Sequence, residues 1–265
     1  MRSALARFAV VTVVAVLAAA LLGPVGTPAA RAAVEHPRVA VEPVWLGGVR
    51  AVVSPATTQV VTVRHTRGHR ARVVLWERQA ETLGQTSGSG WHRVLQTTDG
   101  RIGYGGLVLG HRRRQGSGTT PIGTYRLPWA FGTGPRRPAW GLDYRRIRPG
   151  DHWVQDNASR FYNRYRNRSQ GGFRWWLPSS DPNSSERLLD YRRQYEFSVV
   201  IGFNPGQVRH RGAGIFLHVN GPGATAGCVS VPRALMRELM ATLDPEQRPV
   251  IAIGPRRARG QRVGR

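Results

Sequence analysis

The apolar residues of this chain come in short β-branched bursts that glycine and proline keep cutting off, and this pattern constrains the fold more than any other feature. The bursts are Gln59 to His65, Ala71 to Glu77, Trp91 to Leu95, Gly106 to Leu109, Gly123 to Leu127, Glu196 to Phe203, Ile215 to Val219 and Pro249 to Ile253. Each suits the pleated, half-buried surface of a sheet, and none has the length of an ordinary helix. Many short strands with turn signals between them read as a sandwich or barrel, without the regular strand and helix alternation of a parallel α/β sheet. One helix stands out from Pro232 to Leu243. There Leu235, Leu239 and Leu243 recur every four residues, Pro232 suits the first turn, and Asp244 with Pro245 ends the segment. Hydrophobic residues make up 40% of the 265, enough for a packed core, and wholesale disorder is excluded. No internal repeat is visible.

The two ends are read separately. Arg2 and Arg7 precede an uncharged apolar run from Phe8 to Leu22, followed by Gly23, Pro24 and a string of small residues through Ala33. This is the layout of a secretory signal over residues 1–32, with cleavage expected at Ala30, Arg31 and Ala32. A spanning helix needs ~20 apolar residues, so no stable membrane anchor is expected. Residues 33–56 read as an extended lead-in and residues 57–254 as the folded domain. The five arginines from Pro255 to Arg265, with no acid among them, read as a disordered basic tail.

Charge excludes several chemistries. There are 39 basic residues against 15 acidic ones, a formal +24, and every basic residue is arginine. Without lysine there can be no GK[ST] phosphate loop and no SxxK serine acyl-enzyme motif. Such a charge suits a polyanionic neighbour, with anionic wall polymers, acidic lipid headgroups and extracellular nucleic acid as candidates; an arginine-rich solvated surface explains it equally. A single cysteine, Cys228, rules out an internal disulfide.

The stretch GIFLHVNGPGATAGCVSVP, Gly214 to Pro232, carries the chemistry. If Ile215 to Val219 is a strand, alternation puts Ile215, Leu217 and Val219 on one face and Phe216 with His218 on the other. Nine residues separate His218 from Cys228, and four of them are Gly or Pro, so the chain can double back and bring sulfur to imidazole. A neighbouring histidine is the usual means of drawing a proton from a thiol of pKa ~8.5, and His218 can return that proton to a departing amine. Gly227 leaves backbone room for its own N–H and that of Cys228 to face a developing oxyanion, where one donor is worth ~2.7–4 kcal/mol. The competing reading makes Cys228 a buried, inert apolar residue.

This segment resembles the catalytic motif of the YkuD-type L,D-transpeptidases: a strand ending in His, a glycine-containing loop, a [ST]xGC signature at Thr225 to Cys228, then a helix and a final strand like Arg248 to Gly254. Upstream, GTTPIGTY at Gly118 to Tyr125 is similar to the family's TPxGxF/Y strand. DNASRFYN at Asp156 to Asn163 and the stretch Glu186, Arg187, Leu188 resemble one branch of these proteins, and the likeness runs from about residue 95 to 254. Many members have His before the GC and Arg or Asn two positions after the Cys, where this chain has Ala226 and Ser230. The resemblance implies a mainly β, β-sandwich-like catalytic domain with one helix before the last strand. It also implies a two-step acyl transfer on peptidoglycan stem peptides, in which a Cys228 thioester forms with loss of D-Ala and is passed to an amine as a 3→3 cross-link. No metal or cofactor is implied. A main-chain carbonyl near Val219 would orient His218, and Thr225, Ser230, Tyr162 and Asn163 would bind substrate.

Asp151 to Leu177 holds seven large aromatics and five arginines. It is expected to be a lid that shields the thioester from water, the competing reading being an insertion pinned by its own aromatic cluster. Arginine among aromatics also suits single-stranded nucleic acid, a partner not expected for an exported chain. His65 and His69 are four apart but lie in strand-like sequence without further ligands, so they read as surface residues. GYGGLVLG at Gly103 to Gly110 reads as turns, since no helix pattern follows its glycines. Two other functions stay open. One is L,D-carboxypeptidase or endopeptidase action with water as acceptor; the other is a non-catalytic basic wall-binding module. His210 is the alternative base should His218 prove dispensable.

Overall fold

The computed structural model describes residues 41–79 and 90–256. The expected signal over 1–32, the first part of the lead-in and residues 257–265 of the tail lie outside the described residues. The strands are β1 (Glu42–Leu46), β2 (Val49–Val53), β3 (Gln59–His65), β4 (Arg70–Arg78), β5 (Trp91–Arg101), β6 (Leu107–Leu109), β7 (Thr120–Arg126) and β8 (Ala130–Gly132). They continue with β9 (Tyr144–Arg146), β10 (Asp151–Trp153), β11 (Tyr165–Asn167), β12 (Glu186–Arg187), β13 (Ser198–Val200), β14 (Phe216–Val219), β15 (Val229–Val231) and β16 (Val250–Gly254). The α-helix α1 (Arg233–Thr242) runs between β15 and β16. Eleven strands form one mixed sheet in the order β6-β7-β16-β3-β4-β5-β15-β14-β13-β8-β9. The domain is mainly β with its helix before the last strand, as expected.

Alternation along the central strands gives this sheet two unlike faces. On one, Leu217 and Val219 of β14, Val229 and Val231 of β15 and Val199 of β13 are buried with Ile215 in the main core. Helix α1 covers this face with Leu235, Met236, Leu239 and Met240. These residues fall on one stripe because 3.6 residues per turn bring positions i, i+1, i+4 and i+5 to one side. Pro232 stands before the first turn, where a missing N–H costs nothing, and the helix stops at Leu243. On the opposite face Phe131, Val200 and Phe216 pack with Cys228 in a separate core.

A three-stranded sheet, β11-β10-β12, covers that second face. Trp153 of β10 meets Phe216 edge-on at 4.8 Å between ring centroids, and Phe131 meets Phe216 at 4.9 Å. Such pairs add ~0.5–1.5 kcal/mol each beyond the area they bury. The expectation of a lid over Asp151 to Leu177 is therefore corrected. Trp153, Tyr162 and Phe173 are buried, Trp153 and Tyr162 within the second core. Trp176 is exposed, and Gln155 and Leu177 line the cavity, so most of the segment packs as a layer and only its edges face the site. Residues 42–53 also do more than lead in. β1 and β2 pair antiparallel, and Leu46, Val49, Ala51 and Val53 bury against Val60, Val250 and Ala252. The packed unit thus begins upstream of residue 57.

Leu239 is 1% exposed at the centre of the helical stripe. Leu239→Ala is expected to cost about 2–5 kcal/mol of unfolding free energy, read from urea denaturation midpoints.

Candidate active site

Parallel pairing of β14 with β15 sets Leu217 opposite Val229, His218 opposite Ser230 and Val219 opposite Val231. Cys228 lies one residue ahead of β15, in line with Phe216, and its sulfur receives the Phe216 N–H at 3.4 Å. Phe216 and His218 share a strand face, so sulfur and imidazole stand diagonally on the same side of the sheet. Both line one cavity of about 820 Å³. The doubling back expected at residues 219–227 is therefore a crossover between adjacent parallel strands rather than a hairpin.

The crossover is tied down at both ends. Tyr104 N–H donates to Thr225 O at 2.9 Å and Thr225 N–H to Ile102 O at 3.1 Å. The Thr120 hydroxyl, from the GTTPIGTY strand, accepts from Gly103 N–H and donates to Gly227 O, both at 2.8 Å. At the near end Asn220 donates to Asp99 O at 2.9 Å, and the Arg101 guanidinium holds the carbonyls of Gly221 and Gly223. Two glycines are required by close approach. A Cβ on Gly103 would stand 2.0 Å from Gly118 O, and one on Gly227, whose φ is +132°, would meet the Arg113 guanidinium at 2.8 Å.

His218 is 6% exposed, and its Nδ1 lies 2.8 Å from Val219 O. A carbonyl only accepts, so the proton sits on Nδ1 and the lone pair on Nε2. Val219 supplies the orienting carbonyl that the resemblance implied. The Tyr195 ring meets the imidazole edge-on at 5.4 Å. Burial pulls the His218 pKa down to about 4, partly offset by Val219 O. Burial also pushes the Cys228 thiol up to about 12, with the Glu186 carboxylate raising it further and the Phe216 N–H and Arg113 opposing. The resting pair is thus neutral thiol and neutral imidazole.

Two residues absent from the sequence reading of the site, or present there without a role, stand out. Arg113 is 4% exposed and lines the cavity; its Nε donates to Thr119 O at 2.8 Å and its Nη1 to Arg211 O at 3.2 Å. Glu186 of β12 lines the same cavity, accepting from Gln155 Nε2 at 3.1 Å and from the Tyr195 hydroxyl. Burial raises its carboxyl to about 7, against the pull of those two hydrogen bonds.

The remaining site residues divide. Thr225 lines the cavity, and its hydroxyl donates to Cys228 O at 2.6 Å while accepting the Gly227 N–H at 3.2 Å. That last bond corrects the oxyanion role expected of Gly227, because its N–H is spent on Thr225; its contribution is space for Arg113. Tyr162, Asn163 and Ser230 are not among the cavity-lining residues, which corrects their expected contact with substrate. The Tyr162 hydroxyl donates to Gln115 and accepts from Gly212 N–H. Asn163 accepts from Trp153 Nε1 and Gly214 N–H and donates to the carbonyls of Phe203 and Asn204. Ser230 donates to Asn220 Oδ1 at 2.7 Å. All three are buried and already satisfied by these partners, so they brace the walls from behind. His210 is exposed and does not line the cavity. Among the described residues no group of three or more His, Cys, Asp or Glu could hold a metal ion.

The family model of the YkuD L,D-transpeptidase catalytic domain matches residues 86–251. The chain belongs to this family, which acts on peptidoglycan stem peptides. No curated protein and no solved structure matches it.

A thiol held neutral resists reagents that need the thiolate. Iodoacetamide is expected to alkylate Cys228 at least tenfold more slowly than free cysteine, pKa ~8.5, at about pH 8, with the rate still climbing above that. Fast alkylation, flat from about pH 5 to 8, would instead mark a preformed ion pair.

Proposed function

We propose that this protein is an exported cysteine acyltransferase that forms 3→3 cross-links in peptidoglycan through a thioester on Cys228. The observation that carries the proposal is the shared cavity in which the Cys228 thiol and the His218 imidazole stand on one sheet face, in a chain of the YkuD family. Export is proposed from the charged, apolar and small-residue pattern of residues 1–32.

In the first half-reaction the Cys228 sulfur attacks the carbonyl of the diamino acid at the third stem position. His218 Nε2 takes the thiol proton as the C–S bond forms, since the resting thiol holds it too tightly to ionise beforehand. The same proton goes to the nitrogen of the departing D-Ala, whose C–N bond breaks. The buried Arg113 guanidinium supplies positive charge beside the sulfur throughout. In the second half-reaction an amine of a neighbouring stem attacks the thioester and sulfur leaves. No cofactor takes part in either step. Arginine at the surface and in the tail would hold the enzyme against anionic wall polymers.

The cavity's polar wall of Ser179, Ser180, Ser184 and Ser185 also admits water, which keeps carboxypeptidase action as the second reading. Two experiments decide. Intact mass after exposure to a carbapenem is expected to show one adduct, abolished in Cys228→Ala; no adduct, or one that survives the substitution, points to a non-catalytic wall-binding module. With purified tetrapeptide substrate, dimer is expected together with free D-Ala, whereas D-Ala without dimer means hydrolysis. His218→Ala is expected to lower turnover by about 10²–10⁴-fold, with the fold intact by circular dichroism.

A further inference from the structure

Glu186 occupies a place that the two half-reactions above leave without a task. Its carboxyl opens on the same cavity as the sulfur and the imidazole. One residue, Gly214, separates it from the nucleophile: Cys228 Sγ reaches Gly214 O at 3.5 Å, and a Cβ on Gly214 would stand 3.4 Å from Glu186 Oε2. On its other side the Tyr195 hydroxyl donates to Glu186 Oε1 while the Tyr195 ring packs edge-on against His218. The groups facing this carboxyl are Gln155, Tyr191, Tyr195, Asp190 and Cys228, and Arg113 stands beyond the sulfur. No cation neutralises it: the ion pairs of the described residues fall on other carboxylates. A partly buried carboxyl with acid neighbours and no counter-charge is built to receive a cation from outside.

We propose that Glu186 is the second proton acceptor of the site, taking a proton from the acceptor ammonium group so that the freed amine can attack the thioester on Cys228. The inference rests on the acyl-transfer reading and extends it to the second half-reaction. The ammonium group enters as the cation that Glu186 lacks and gives one proton to the carboxylate. Its nitrogen then attacks the thioester carbonyl; a C–N bond forms, the C–S bond breaks, and the electron pair returns to sulfur. The second nitrogen proton passes to His218 Nε2 and from there to the thiolate, which restores the neutral pair, while Glu186 loses its own proton to solvent. Two protons must leave the nitrogen before the amide is complete; His218 takes one, and Glu186, on the same cavity, is placed to take the other. A carboxyl held near 7 is also better matched to an amine of pKa ~10.4 than one at the usual ~4.3.

The test separates the half-reactions. With tetrapeptide donor and acceptor at about pH 7, Glu186→Gln is expected to cut dimer formation roughly a hundredfold while slowing acylation of Cys228 by less than about threefold, so hydrolysis replaces transfer. In the unaltered enzyme the ratio of transfer to hydrolysis is expected to rise with pH through about 7, and Glu186→Gln should move that rise toward the amine's own pKa. Dimer at the unaltered ratio in Glu186→Gln overturns the proposal, and so does equal loss of acylation and transfer, which would make Glu186 a structural residue. If Glu186→Gln does not fold, a pH-independent ratio in the unaltered enzyme overturns it. Failure of the unaltered enzyme to acylate Cys228 at all is a different result, one that removes the acyl-transfer reading itself.

Discussion

The site depends on one pairing, β15 laid parallel to β14 in a register that puts Ser230 opposite His218. Adjacent parallel strands direct equivalent residues to the same side, so this register places the sulfur in line with Phe216 and diagonal to His218. A slip of one residue would turn Cys228 into the helix-covered core and bring Val229 to the cavity, since side chains alternate along a strand. Leu217, Val219, Val229 and Val231 hold the register from the other face, where all four are buried against α1 and its neighbours. The spacing of Cys228 and His218 is therefore enforced by hydrophobic packing on the opposite side of the sheet from the cavity.

A crossover of so few residues has little packing of its own, and the structure compensates with hydrogen bonds from three directions. Ile102 and Tyr104 bracket Thr225, Thr120 takes Gly227 O, and Arg101 takes the carbonyls of Gly221 and Gly223. This is why the GTTPIGTY strand and the glycines around residue 103 belong to the site although neither contributes a reacting atom. Gly103 and Gly118 let two backbones approach to where a side chain would collide, and Thr120 then reaches Gly227 O in the loop before Cys228.

Strand alternation and helix periodicity were legible because they depend on local pattern. β3 matches the sequence reading residue for residue, α1 falls within its expected span, and the two faces of β14 alternate as read. The short strands β8 to β12 and β15 were not legible, since three residues or fewer cannot show a period and their pairing is settled by distant partners. The mistaken placements of Tyr162, Asn163 and Ser230 share a cause. Each is polar and lies in a stretch that resembles the family, but each finds its hydrogen bonds inside the wall. Arg113 lies in the run His111 to Arg114, one of 39 basic residues, and nothing local distinguishes it from its exposed neighbours. Only the tertiary approach of Thr119 and Gly227 singles it out.

The charge of the whole molecule and the charge of the cavity point in opposite directions. Acids are scarce in this chain, 15 against 39 arginines, yet Asp181, Glu186 and Asp190 all line the site, alongside Arg113 and Arg187. The long-range positive field favours anionic neighbours, and salt at physiological strength screens it within ~8 Å. Within the cavity the nearby groups act at shorter range: Glu186 and Arg113 pull the Cys228 thiol in opposite directions, and on the proposed mechanism the unpaired carboxyl favours a cation beside it. On that mechanism a neutral water gains nothing from the unpaired carboxyl, whereas an ammonium group would be held beside it. On the proposed mechanism, discrimination between amine and water follows from where a few acids are placed in a protein otherwise dominated by arginine.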